Sequence, residues 1–185
     1  CALPISTQTN NTGVGLDTQS SGAGGSYNSS LGVNALKTNS GNYCLAAGYN
    51  ALQSNSGDLN VALGYLAVGS PANSGGGLVG VGHQALSSNS SGSFNTGCGG
   101  SALGDVTSGA NNVGAGYNAG VGLSTGSNCT FVGYQATPTT GALQNAMALG
   151  ATASVNASNK IRLGNVLVTS FECAVSLTVT SDARD

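Results

Sequence analysis

The sequence has 185 residues, enough for one domain, with only 5% charged and 5% aromatic residues and no Trp, where an ordinary globular domain is about a quarter charged. A net charge of −2 and only four basic residues, Lys37, Lys160, Arg162 and Arg184, exclude an electrostatic nucleic-acid surface. No apolar run approaches the ~20 residues of a bilayer-spanning helix, and residue 1 is Cys rather than Met, so a processed chain or a fragment is expected.

Residues 1–10 read as an N-terminal extension or cap. From residue 11 to residue 158 one phrase recurs, a glycine followed three places later by a small residue. The glycines are Gly15, Gly32, Gly48, Gly64, Gly82, Gly99, Gly116, Gly133 and Gly150, separated by 16 to 18 residues. Ala35, Ala51, Ala67, Ala85, Ala102, Ala119, Ala136 and Ala153 follow them, with Thr18 in the first copy. A fixed short period marks an architecture that stacks one unit on itself.

Aligning the copies on the glycine resolves columns. The residue before it is apolar (Val14, Leu31, Ala47, Leu63, Val81, Cys98, Ala115, Val132, Leu149), and the residue two places before is small, Phe131 excepted. Three places before stand residues such as Thr12, Leu45, Val61, Val79 and Val113. This alternation predicts a short strand with the small column on one face and the apolar columns on the other. An asparagine column (Asn11, Asn28, Asn60, Asn95, Asn112) enters the strand, with Cys44 and Cys129 replacing it twice. An aromatic column, Tyr49, Tyr65, His83, Tyr117 and Tyr134, follows the glycine. Each copy therefore reads as a strand, a glycine bend, a second short strand and a polar loop. The predicted fold is an all-β solenoid, a β-roll or β-helix, of about nine ~17-residue coils stacked at ~4.8 Å. Its core is thin and marginal alone, so association of several chains is expected. After Ala153 the period breaks, and residues 159–185, with a strand-prone run over 161–180, are predicted to form a C-terminal β cap.

The residues argue against chemistry. Gly80–Ala85, Gly114–Ala119 and Gly13–Thr18 match or nearly match a dinucleotide-binding fingerprint, but no helix is predicted after them, so they are by-products of the repeat. His83 is the single histidine, the carboxylates share no phase, and no CxxC pair exists, so no catalytic, cofactor or metal site is expected. Tyr49, Tyr65, Tyr117 and Tyr134 read as a packing column, with a glycan-stacking ladder as the alternative. Cys44, Cys98 and Cys129 lie coils apart, beyond the ~7 Å Cα limit for a disulfide, so they should not pair within one chain. Cys1 and Cys173 fall near opposite ends, and a bridge between them in successive subunits would staple rods head to tail. Sequons at Asn10, Asn28, Asn89, Asn128 and Asn156 are consistent with an extracellular site without establishing one.

Asn60-Val-Ala-Leu-Gly64-Tyr-Leu-Ala67 and Gly48-Tyr-Asn-Ala-Leu52 resemble the NTAVGYNAL-type repeats of phage and large-virus tail-fibre-like proteins, and are similar to the head repeats of trimeric autotransporter adhesins. Asn159-Lys-Ile-Arg-Leu-Gly-Asn165, with Thr180-Ser181-Asp182-Ala183-Arg184, resembles the junction before an endosialidase-type intramolecular chaperone domain. The resemblance implies a homotrimeric fibre on a virion or outside a cell, with processing at the Ser181–Asp182 step. Cleavage there would leave Ser181 last, whereas the sequence runs on to Asp185 without the Lys usual in the motif, and no protease role is expected of this chain.

The leading expectation is a structural fibre subunit whose partner is itself, as a homotrimer, with end-to-end stacking of trimers left open and no membrane or nucleic-acid partner. The alternatives are a glycan-binding adhesin module and, behind it, an ice-binding solenoid, which needs a regular Thr array that no column supplies.

Overall fold

The computed structural model describes residues 10–19 and 25–170. Those residues form a parallel β-solenoid with no helix. Ten three-residue strands make one continuous sheet: Thr12–Val14, Ser29–Leu31, Leu45–Ala47, Val61–Leu63, Val79–Val81, Thr96–Cys98, Val113–Ala115, Thr130–Val132, Met147–Leu149 and Ile161–Leu163. The register pairs each position with its counterpart one coil on, as in Ala46↔Ala62, Gly80↔Gly97 and Phe131↔Ala148. The columns read from the sequence are thus ladders in space. The final strand, from the region predicted to cap, extends the same ladder through Leu149↔Leu163.

The strand faces divide as the alternation requires. Ala46, Ala62 and Ala148 are fully buried, while the residues on either side of them reach solvent. The alanines after the glycine bend and the next column, Leu36, Leu52, Val68, Leu86 and Leu103, complete the core. Phe131 fits the small-residue column because Gly120 stands where other coils place that leucine or valine. A Cβ on Gly120 would meet Phe131 Cδ2 at 3.0 Å and collide with Leu103.

The bend itself requires glycine for two reasons. Gly48 has φ 137°, and a Cβ there would run into the carbonyl of Gly64, the same position one coil on. Stacking at ~4.8 Å leaves no room for a side chain between successive bends.

The predicted second strand forms only in part. After the bend the chain turns, with left-handed residues two places on (Asn34, Asn50, Gln84, Asn118) and again four places on (Leu36, Leu52, Leu86, Leu103). Its amides bond alternately backwards and forwards: Asn50 N–H donates to Val33 O at 3.0 Å, and Leu52 N–H to Ala67 O at 3.2 Å. These coil-to-coil bonds replace a strand ladder. Short strand pairs occur further on, Thr38–Asn39 with Ser54–Asn55 and Thr137–Pro138 with Ser154–Val155.

At the C-terminal end of the sheet, Arg162 occupies the interior column and Lys160 the asparagine column. Arg162 Nε donates to Gly164 O at 2.9 Å.

Candidate interaction surface

The outward side of the ten-stranded sheet is the most regular exposed surface among the described residues. Its outward columns stand five, three and one place before each bend glycine and one place after it. Among the described residues none of these positions carries Asp, Glu, Lys or Arg. Large apolar side chains lie open on it, including Val14, Leu31, Leu45, Val113, Val132, Ile161 and Leu163. The described charges stand elsewhere, at Asp17, Lys37, Asp58, Asp105, Lys160 and Arg162, with Lys37 and Asp17 paired at 3.3 Å on the turn side. A monomer that meets water on all sides rarely leaves so long an apolar, uncharged strip uncovered.

Buried amides lie behind this surface and link successive coils. Asn28 Nδ2 donates to Gly41 O at 2.9 Å, and its Oδ1 accepts the backbone N–H of Cys44 at 2.8 Å. Asn60 serves Gly75 and Leu78 in the same way, and Asn95 serves Gly109 and Asn112. Each asparagine therefore satisfies one donor and one acceptor of the following coil. A second buried ladder, Asn39, Asn55, Asn73 and Asn89, runs through the loops, with Asn55 Nδ2 on Asn39 Oδ1 at 2.8 Å and Asn73 Nδ2 on Asn55 Oδ1 at 2.7 Å. The polar loops of the sequence reading therefore hide an interior corner. A second glycine ladder, Gly41, Gly57, Gly75, Gly92 and Gly109, supplies its carbonyls. The signal was the 16–18-residue spacing of these Asn and Gly positions.

The aromatic column stacks along the rod. Tyr49 and Tyr65 lie 5.5 Å apart and 10° from parallel, Tyr65 and His83 5.2 Å and 8°, and Tyr117 and Tyr134 5.9 Å and 15°. Gly100 interrupts the column, and the Tyr117 ring lies over it. Tyr65 has a neighbouring ring on each face, whereas Tyr49, His83, Tyr117 and Tyr134 have one on a single face. Sugar stacking needs an open ring face, which is available only where a stack ends.

Cys44 and Cys129 are buried free thiols and Cys98 is an exposed one, as their separation along the rod requires. Burial raises the thiol pKa of Cys44 and of Cys129 above the ordinary value. Cys1, Cys173, Ser181 and Asp182 lie outside the described residues. Of the sequons, Asn28 and Asn89 are buried and committed to the amide ladders, whereas Asn10, Asn128 and Asn156 are exposed. Among the described residues no group of three or more His, Cys, Asp or Glu is placed to hold a metal ion, and no helix is long and apolar enough to cross a membrane. The fingerprint-like segment Gly80–Ala85 runs from strand into turn and so offers no helix N-terminus to a phosphate.

These features define a β-solenoid repeat protein whose one extended apolar face is a regular sheet. Compared with protein-family models, curated proteins and solved structures, the chain matches none.

Proposed function

We propose that the protein is a structural subunit of a fibre, extracellular or on a virion, that assembles with copies of itself, as a homotrimer, through the outward face of the ten-stranded sheet. The observation that carries this reading is the absence of charge from that face together with its exposed Leu31, Leu45, Val113 and Val132. Ten strands at ~4.8 Å make a face roughly 43 Å long, and the three-residue strands across it span about 10 Å, with the corner and aromatic columns widening the strip on either side. Periodicity favours a copy of the chain as the partner, because it presents columns at the same spacing. The stacked tyrosines support packing along the rod, with Tyr65 covered on both faces by Tyr49 and His83.

The test is a charge placed in the middle of the face. Val113→Asp should leave the circular dichroism spectrum unchanged and convert the assembly to single chains in sedimentation. Electron micrographs of the unmodified protein should show rods. Unaltered sedimentation of the variant would remove the face from the assembly.

A further inference from the structure

The corner where the chain enters each strand differs along the rod. At the position five places before the bend glycine the backbone is left-handed in every coil: Asn10, Tyr27, Tyr43, Leu59, Gly77, Phe94, Asn111, Asn128, Asn145 and Asn159 all have φ between 51° and 67°. The last four coils fill it with asparagine, which tolerates this conformation through its short polar side chain. Four earlier coils fill it with Tyr27, Tyr43, Leu59 and Phe94, residues for which the left-handed region is strained.

The interior of this chain does not account for the choice. Tyr27 and Tyr43 stack at 5.0 Å, and Phe94 lies over Gly77. Even so, Tyr27 remains 50%, Tyr43 58%, Leu59 60% and Phe94 66% exposed. The chain thus keeps strained, solvent-facing apolar groups at sites where asparagine fits the same backbone in five other coils. Strain retained without an internal return marks a surface whose return comes from outside the chain.

We propose that Tyr27, Tyr43, Leu59 and Phe94 are anchors by which a second copy of this chain docks, beside the sheet face that also carries Val113. The inference rests on the self-assembly reading and names the residues that drive it. The corner borders the charge-free sheet face and extends the same strip. Large aromatic and aliphatic anchors are the groups that dominate interface energetics. A copy of the chain is the occupant the geometry favours, since its columns repeat at the same interval over the same length.

The test replaces all four residues with asparagine, Tyr27→Asn, Tyr43→Asn, Leu59→Asn and Phe94→Asn together, in the full chain. Folding is protected, because asparagine already occupies this backbone site in other coils. Association should weaken while the single chain becomes more stable. The concentration for half-dissociation, read by analytical ultracentrifugation, should rise at least about tenfold. The unfolding temperature at concentrations where the chains are dissociated should rise, because strain has been relieved. An unchanged dissociation concentration, with the unmodified protein assembled, would overturn this proposal while leaving the assembly reading intact. An unmodified protein that is a single chain at every concentration would overturn both.

Discussion

The side-chain carbonyl of Asn112 accepts the backbone N–H of Cys129, one coil further on, at 2.9 Å, while its Nδ2 donates to Gly126 O at 2.8 Å. One buried amide therefore joins two coils. Asn112→Ala strands a buried donor and weakens the partnering of a buried carbonyl, which costs about 2–4 kcal/mol. The exposed Ser108→Ala should stay within about 0.5 kcal/mol. Denaturant midpoints at matched protein concentration compare the two, and equal midpoints would show that the amide ladder does not hold the coils together.

The pairing of Phe131 with Gly120 yields a compensation test. Phe131→Ala opens a cavity and should cost about 3–5 kcal/mol. Gly120→Leu alone overfills the same space and should also destabilise. The double variant restores the arrangement of Leu52 and Ala62, which occupy the same two positions on successive coils, and should recover much of the loss, because the two sites share one volume. Thermal melts of the three variants check this, and strictly additive losses would contradict it.

The fold was legible because its two requirements, a bend with no room for a Cβ and a strand with one buried face, act at single positions and repeat in register. Gly48, Ala46 and Ala51 show both at once. The inner loop corner was hidden because Asn55 and Gly57 look like turn residues in any sequence. Only the stacking turns their amide and carbonyl inward. The apolar corner was hidden for the opposite reason: Tyr43, Leu59 and Phe94 gave no sign of left-handed backbone, since that conformation is imposed by the coil and not chosen by the residue. Phe131 was an exception in its column until Gly120, eleven residues earlier and on a neighbouring coil, explained it.

The thiols give a pH-dependent readout. Burial holds Cys44 and Cys129 protonated to higher pH in the folded chain than in the unfolded one. The stability this contributes is complete below the unfolded thiol value of about 8.5 and is lost as pH rises from there through the folded value. Folded protein should therefore resist alkylation at Cys44 and Cys129 and lose stability above about pH 8.5. Cys44→Ala with Cys129→Ala should flatten that part of the profile. Rapid labelling of either buried thiol in native buffer would contradict their placement.

Cys98 reports on the assembly itself, because it is exposed in the chain and stands on the outward face. A maleimide should label it quickly in dissociated chains and at least about tenfold more slowly in the assembly, because association buries it. Equal rates at high and low protein concentration would place Cys98 outside the contact.

The most direct test of self-assembly through the sheet face is the native mass across a range of concentrations, measured by native mass spectrometry and light scattering. The chain has a mass of 17.8 kDa, and the account predicts three times that mass, or multiples of it where trimers join, falling to a single chain in Val113→Asp. A mass of one chain at every concentration would contradict it.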